Sequence, residues 1–278
     1  MTARLSPGIA AVLGLLALYV LAAVFAPWLA PHNPLQQTLL LRLRPPLTES
    51  PTAGLFLLGT DDVGRDLFSR ILYGARASLI VGALSVSVSL LCGTGFGLLA
   101  GWFRGWAAIL TMRFVDIVLS IPAILLAVLT VAVLGPSFTN LILVLGLTRW
   151  PRYTRVAYAQ TLQVAALPYI RAAEMAGARA PRIMLAHILP NIAGPLMVVA
   201  TTEFGLMILF EAGLSFLGLG IQPPYPSWGS IMSEGQNYVA SAWWMTVFPG
   251  ICLFGVVLCV NLLGDWLRDR VDPRAQSR

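Results

Sequence analysis

The chain has 278 residues, of which 58% are hydrophobic and only 11% are charged, and its formal net charge is +6. Because a soluble domain carries about 25% charged residues, this composition excludes a large soluble domain and indicates a protein that crosses the membrane several times. All 18 basic residues are arginine, so the chain has no lysine for a Walker A phosphate loop or a Schiff base, and any ATP must be bound by a partner.

Apolar runs long enough to cross a bilayer predict six transmembrane helices. The first run, at about 8–30, is longer than the apolar core of a signal peptide, so we interpret it as a membrane helix. A polar stretch with several prolines follows at 31–77. The other predicted spans lie at about 78–102, 114–134, 138–150, 192–219 and 242–264. The span at 138–150 is the weakest, and the topology after it inverts if it does not cross.

Two of these spans contain residues that predict specific contacts, one a helix packing face and the other an ion pair. In the second, Gly93, Gly97 and Gly101 are spaced four residues apart, which predicts a smooth stripe where another helix packs closely. In the third, Asp116 is expected near the membrane surface and paired with Arg113.

Six spans place both termini on one side, and the positive-inside rule assigns that side to the cytoplasm. The exterior then holds only the arginines of residues 31–77. Three of them, Arg65, Arg70 and Arg76, lie close to the second span and conflict with the rule.

Two acidic residues, Glu203 and Glu211, lie within the fifth predicted span. A charge at this depth costs at least about 2.5 kcal/mol unless it faces protein or water. They lie roughly 80° apart around a helix and could line one broad face. They are therefore candidates for a translocation pathway or gate, or they form hydrogen bonds to a neighbouring helix.

A polar segment at 149–190 separates the fourth and fifth spans and contains six arginines but only one acid, Glu174. Leu167-Pro168 can start a helix, Gly177 can end it, and Pro181 can begin a second helix that reaches about Ile188. Pro190 is expected to mark the boundary with the fifth span. This predicts two short helices that either dock an acidic partner surface or lie beside anionic lipid headgroups.

The loop from Gly220 to Trp228 is rich in proline and glycine and is therefore predicted to be irregular. No catalytic residues and no metal site are predicted, because the three cysteines lie in apolar runs and the two histidines are far apart.

The segment at 149–190 resembles the cytoplasmic "EAA" loop of permease subunits in binding-protein-dependent ABC transporters. That pattern runs Glu-Ala-Ala, Gly and Ile-x-Leu-Pro, and here Ala172-Ala173, Gly177 and Leu189-Pro190 are in register. Arg171 occupies the glutamate position and His187 the isoleucine position, so the charge on the first helix is altered.

Further stretches resemble the dipeptide, oligopeptide and nickel branch of these permeases. They are Leu58–Asp66 with Tyr73–Arg76, Asp116 with Leu119–Pro122, Glu211 with Leu214–Gly220 and Gln222–Gly229, and Asn261–Asp265 with Asp272-Pro273. The resemblance covers about residues 57–274.

This resemblance implies an all-α polytopic membrane protein with six transmembrane helices and a type I ABC importer permease fold, whose MetI-like core follows one extra N-terminal helix. The expected domains are a cytoplasmic N-terminus with the first helix (1–30), an external segment (31–77), a core of five transmembrane helices (78–264) that includes a cytoplasmic coupling loop (149–190), and a cytoplasmic tail (265–278).

The resemblance also implies a non-enzymatic, multi-pass subunit of the bacterial inner membrane. Its expected partners are a related second permease, two ATP-binding subunits that hold ATP and Mg, an external substrate-binding protein and the lipid bilayer, with no nucleic acid. The coupling residues would be Tyr169, Arg171, Ala172, Ala173, Glu174, Gly177, Arg182, Ile188 and Pro190. The binding-protein-facing residues would be Gln222, Pro223, Pro224 and Trp228.

The expected cargo is a dipeptide or oligopeptide, and nickel or another small solute remains an alternative within the same architecture. An ion-coupled secondary transporter is a remote alternative, because it would need charge networks or an internal repeat. A non-transporting membrane scaffold is a further alternative.

Overall fold

The computed structural model describes residues 6–51 and 53–271 and is mostly helical in that part of the chain. The α-helices are α1 (Pro7–Val24), α2 (Ala26–Leu29), α3 (Leu67–Phe103), α4 (Gly105–Ser120), α5 (Ala123–Leu134), α6 (Phe138–Ala165), α7 (Pro168–Met175), α8 (Ala180–Ile183), α9 (Leu189–Phe216), α10 (Trp228–Gly235) and α11 (Trp244–Val271). A π-helical turn, Met184–Ile188, joins α8 to α9. The pair Asp272-Pro273 of the family resemblance, and the second half of the expected cytoplasmic tail at 265–278, lie outside the described residues.

Membrane-length apolar helices account for five of the six predicted spans. Four segments are long and apolar enough to cross a bilayer: α1, α3, the continuous helix Ala180–Phe216, and α11. Together α4 and α5 are also long and apolar enough to cross a bilayer, but they are bent where they meet. The 28-residue α6 is not among the apolar spans, since it carries Arg149, Arg152 and Arg155. The predicted fold class is confirmed, with α6 as a charged helix within the bundle.

The third predicted span is not a single helix, as was expected for 114–134. It begins earlier, at Gly105, and α4 and α5 meet at an angle of 86°. The break falls at Ile121-Pro122, where Ile121 is extended with φ −94° and ψ 129°. A proline ring disfavours the helical conformation of the residue before it, which explains the position of the bend.

The second span begins at Leu67 rather than at 78, so part of the predicted external segment belongs to α3. Asp66 caps this helix by accepting a hydrogen bond from the backbone N–H of Ser69 at 2.9 Å. The rest of the external segment includes a short antiparallel hairpin of β1 (Thr48–Ser50) and β2 (Gly54–Phe56).

The glycine stripe of α3 packs directly on α6, as the spacing predicted. A Cβ atom on Gly97 would lie 2.5 Å from the Cβ of Ala157, and one on Gly93 would lie 2.5 Å from the carbonyl oxygen of Trp150. Both distances are far below van der Waals contact, so the two backbones approach closely only because these positions lack side chains.

The fourth span continues to Ala165, well beyond its predicted end at 150. Residues 149–165, which were assigned to the coupling loop, are therefore helical, and Pro151 lies inside the helix. The irregular part of the segment at 149–190 is confined to the turns on either side of α7.

Two apolar clusters hold the helices together. One joins α3, α5, α6 and α9 and extends to the segment after α6, where Ile170, Ile183 and Ile188 are fully buried. The other joins α1, α3, α10 and α11 around Trp228 and Met245. The first cluster therefore connects the membrane helices to the predicted coupling segment.

Candidate functional sites: an exposed helical turn and a polar cavity

The segment after α6 forms the helix–glycine–helix arrangement that was predicted from the sequence. Pro168 occupies the first position of α7, where its missing N–H costs nothing. Gly177 has φ +82°, and the N–H groups of Gly177 and Ala178 donate to the carbonyls of Glu174 and Ala173. This is the Schellman arrangement, which a glycine closes most easily because it has no Cβ.

The second helix does not stop at Pro190, which corrects the predicted boundary. It starts at Ala180 and runs into α9 as one helix to Phe216. The N–H of Leu189 donates to the carbonyl of Met184, five residues earlier. This wider turn comes directly before Pro190 and places the proline near the start of α9, where its missing N–H and its ring are accommodated.

The turn presents an exposed face rich in arginine, which we call the coupling surface and define as residues 168–182. Of the predicted coupling residues, Tyr169, Arg171, Ala172, Glu174, Gly177, Arg182 and Pro190 are exposed, Ala173 is partly exposed and Ile188 is buried. Within the described residues Arg171, Arg179 and Arg182 form no ion pair. The side chain of Met175 is 84% exposed, so the surface combines free cations with an unpacked apolar side chain.

The coupling surface is attached to the membrane helices through α9. Ile170 and Ile183 are fully buried beneath it. The side-chain amide of Asn191 donates to the Tyr169 hydroxyl at 3.2 Å and to the carbonyl of His187 at 2.6 Å. These contacts fix α7 against the start of α9.

Glu203 lies in a buried ion-pair network between α6 and α9. Arg149 donates from Nε to one carboxylate oxygen at 2.7 Å and from Nη2 to the other at 2.9 Å. Arg152 adds a third hydrogen bond at 3.0 Å. The Arg149 guanidinium also lies 5.4 Å from the centre of the Phe210 ring. The carboxylate is therefore fully paired within the helix bundle.

Glu211, the other candidate pathway residue, is completely buried. Its carboxylate accepts hydrogen bonds from the hydroxyls of Ser78 at 2.6 Å and Ser215 at 2.7 Å. The two glutamates thus have different surroundings: Glu203 borders a cavity, whereas Glu211 joins α9 to α3.

A cavity of about 1180 Å³ opens between α6, α9 and α11. One wall is formed by α6, the second by α9 around Glu203, and the third by the end of α11. Its charged and amide-bearing lining residues are Arg152, Arg155, Gln160, Gln163, Asn191, Glu203, Asp265 and Arg268. The cavity extends from the region of the coupling surface to the buried glutamate.

Asp116 pairs with α6 rather than with Arg113 as expected. The Nη2 of Arg155 donates to its carboxylate at 2.5 Å, and both side chains are about half exposed. Asp116 and Arg155 are 39 residues apart in the chain, so proximity in sequence gave the wrong partner.

The predicted binding-protein loop divides into an exposed and a buried part. Gln222, Pro223 and Pro224 are exposed. Trp228 is fully buried, and its indole N–H donates to the carbonyl of Ile71 at 3.2 Å. A direct surface contact through Trp228 is therefore wrong, because this side chain packs α10 against α3.

A four-charge cluster at this end of the molecule was missed from the sequence. Arg65 and Arg70 both bind Asp61 and Glu234, and all but Glu234 are buried. Burial, followed by repulsion from Asp61 and Glu234, raises the pKa of the neighbouring Asp62 carboxyl. Since Arg65 and Arg70 are neutralised locally, they do not oppose the predicted membrane orientation.

Comparison with known proteins gives consistent matches over most of the chain. Residues 93–277 match the family described as "Binding-protein-dependent transport system inner membrane component". Residues 10–46 match the "N-terminal TM domain of oligopeptide transport permease C".

Two curated relatives cover nearly the whole chain. A di/tripeptide transport system permease protein, DppC, of Pseudomonas aeruginosa is 43% identical over 94% of this chain and 86% of its own length. The dipeptide transport system permease protein DppC of Escherichia coli K12 is 45% identical over 92% of this chain and 85% of its own length.

The fold also has a counterpart among solved structures. A chain of the MetNI methionine ABC transporter, in an inward-facing conformation, matches with a TM-score of 0.56. The match covers 74% of this chain and 98% of that chain at 19% identity, so it supports the fold alone.

Proposed function

The chain belongs to the family of binding-protein-dependent transport system inner membrane components, and from this premise we propose that it imports dipeptides and short oligopeptides as one permease subunit of an ATP-driven transporter. The peptide cargo is supported by the names of relatives that are 40–45% identical over most of the chain. The family and the membrane-length helices make it a multi-pass inner-membrane protein.

The coupling surface is the site through which ATP-binding partners would act on this subunit. The observation that carries this proposal is its set of exposed cations, Arg171, Arg179 and Arg182, which have no ion pair in the described chain. An acidic partner groove would complement these charges, and Met175 would fill an apolar depression in it. Arg171 stands at the position that is glutamate in the family pattern, so the partner is expected to present a carboxylate there.

The remaining partners follow from the same proposal. Two ATPase subunits would bind ATP and Mg, because this chain has no lysine for a phosphate loop. The chain itself would carry out no catalysis. A second permease would complete the pathway, and an external binding protein would dock near the exposed residues Gln222, Pro223 and Pro224. Both termini would be cytoplasmic.

A charge-removal experiment tests the coupling role. The double variant Arg171→Gln/Arg182→Gln removes two unpaired charges from the coupling surface without touching its buried anchors. We expect roughly tenfold weaker association with the ATPase subunits and a matching loss of ATP-dependent dipeptide uptake in proteoliposomes of the assembled transporter, because charge-assisted contacts are lost.

Arg104→Gln/Arg113→Gln is the matched control, since it also removes two exposed charges, one from the turn between α3 and α4 and one from α4. It is expected to retain association and uptake. Equal loss in both variants would show a general charge effect and overturn the coupling assignment. Failure of the wild-type complex to take up any dipeptide would overturn the peptide cargo.

A further inference from the structure

The cavity between α6, α9 and α11 has one positive charge in excess. Three arginines and two carboxylates line it: Arg152, Arg155, Arg268, Glu203 and Asp265. Arg149 behind Glu203 and Asp116 beside Arg155 add one charge of each sign, so including them leaves the excess unchanged. A cavity within a membrane protein that keeps an excess cation is suited to an anionic group.

The excess charge can be assigned to Arg152. Arg149 satisfies Glu203 with two hydrogen bonds, one to each carboxylate oxygen. Arg152 makes only one bond to the same carboxylate, although a guanidinium group has five N–H donors in a fork geometry. Its side chain is 52% exposed while that of Glu203 is 2% exposed, so free donors of Arg152 are open to the cavity.

The other cavity arginines have balanced surroundings. Arg155 forms an ion pair with Asp116. Arg268 forms no ion pair within the described residues, but Asp265 lies three residues before it on the same face of α11, so that wall carries one charge of each sign. Only Arg152, among these lining residues, shares a carboxylate with a second and better-placed arginine.

The α6 wall continues this site with neutral hydrogen-bonding groups. Arg152, Val156, Gln160 and Gln163 recur at spacings of three and four residues, which places them on one face of the helix. Gln160 and Gln163 offer amide donors and acceptors of the kind that a peptide backbone requires. The wall therefore presents a cation at one end and amides about two and three helical turns further along.

We propose that Arg152 binds the α-carboxylate of a peptide in the cavity, with Gln160 and Gln163 contacting the peptide backbone. This site rests on the proposed peptide cargo and adds the group by which the pathway recognises it. An α-carboxylate is common to peptides of every sequence, so binding it selects the class of cargo without selecting its side chains.

The experiment compares alanyl-alanine with its C-terminal amide on the purified, nucleotide-free transporter complex without its binding protein. Affinities are measured by ligand-observed saturation-transfer NMR titration. We expect Arg152→Gln to weaken alanyl-alanine binding about tenfold and amidation to weaken wild-type binding about tenfold, because each removes the same charge-assisted contact. Arg152→Gln is expected to cause no further loss for the amide, and Arg152→Lys to recover most of the affinity.

Arg268→Gln is the matched control, since it removes the same charge from the opposite wall. A loss of less than about twofold is expected there, because contacts between exposed charges are weak. Equal losses for Arg268→Gln and Arg152→Gln, or additive effects of Arg152→Gln and amidation, would overturn the site at Arg152 while leaving the peptide cargo intact. If neither ligand binds to the wild-type complex, the site is overturned; uptake of dipeptide in proteoliposomes then decides separately on the cargo.

Discussion

Breaking the ion pair between Glu203 and Arg149 is expected to destabilise the helix bundle more than removing the pair altogether. The two residues are 1% and 8% exposed, and they join α6 to α9 through two hydrogen bonds. Glu203→Leu leaves the buried Arg149 without a counterion, and such a loss costs about 3–5 kcal/mol. The contact of Arg149 with the Phe210 ring is present in both the wild type and the variant, so it does not reduce this difference, and the expected destabilisation is about 3–5 kcal/mol.

The converse change, Arg149→Met, leaves Glu203 with its single hydrogen bond to Arg152. We expect a cost of about 2–3 kcal/mol, because one charge-assisted contact remains. The double variant Arg149→Met/Glu203→Leu removes both buried charges and fills the space with apolar groups. Its stability is expected to lie within about 1 kcal/mol of the wild type. Arg152 loses its partner Glu203 in this variant, but its side chain is half exposed and its charge therefore remains hydrated.

Reversible unfolding in mixed detergent micelles, followed by circular dichroism, measures all four proteins of this cycle. The expected signature is strong non-additivity, with the double variant more stable than either single variant. A double variant whose loss equals the sum of the single losses would refute the reasoning, because it would show that each side chain acts through its own packing. Arg155→Met is a useful comparison, since its partner Asp116 is half exposed and the expected effect is below about 1 kcal/mol.

Two further changes test the packing and the external charge cluster. Gly97→Ala is expected to destabilise the protein in the same unfolding assay by about 1–3 kcal/mol, because its Cβ would lie 2.5 Å from the Cβ of Ala157. Gly95→Ala is the control on the same helix: its Cβ would meet open space, so the change is expected to be neutral or stabilising by up to about 1 kcal/mol. Equal losses of stability in the two variants would contradict the close packing of α3 on α6. The pKa of Asp62 is raised on folding, so its contribution to stability falls as pH rises from its ordinary pKa of about 3.9 through the raised value. Asp62→Asn should therefore raise the melting temperature at pH 7 and lose this advantage towards pH 4, and a variant that is less stable than wild type at pH 7 would contradict this sign.

Local signals in the sequence predicted the helical turn of the coupling surface well. Pro168 and Gly177 act through their own backbone geometry, so their effects on α7 are visible without a structure. The glycine stripe of α3 was also predictable, because the spacing of Gly93 and Gly97 identifies a face that a neighbouring helix can approach. Its partner helix was not, since that choice depends on the whole bundle.

The extent of α6 could not be predicted from hydropathy. Arg149, Arg152 and Arg155 interrupt the apolar run and indicate a loop when each charge is counted alone. In the folded chain Arg149 and Arg152 are paired with Glu203, more than fifty residues later in sequence. A charge whose partner lies on another helix costs far less to bury than an unpaired one, and a local pattern contains no information about that partner.

Pro122 and Pro190 misled the prediction in opposite directions. At Pro122 a break in the helix was missed, and at Pro190 a boundary was predicted where the helix continues. The apolar run around Pro122 suggested a continuous span, but the extended conformation of Ile121 breaks it. Pro190 suggested a boundary, but the π-helical turn before it absorbs the missing hydrogen bond. Trp228 was assigned to a binding-protein-facing loop through the family resemblance, whereas contacts with α3 bury it completely.

The continuity of the helix through Pro190 connects the two sites mechanically. The helix from Ala180 to Phe216 contains 37 residues and therefore extends over about 55 Å at roughly 1.5 Å per residue. It carries part of the coupling surface at one end, Glu203 at the cavity and Glu211 near the other end. A break at Pro190 would let the coupling surface move independently of the bundle. The helix nevertheless continues through Pro190 and Pro195, so we expect a displacement imposed on α8 to be passed along it to the Glu203 network, which also holds Arg152. The same helix therefore joins the surface where ATP-binding partners are proposed to act to the arginine proposed to hold the cargo.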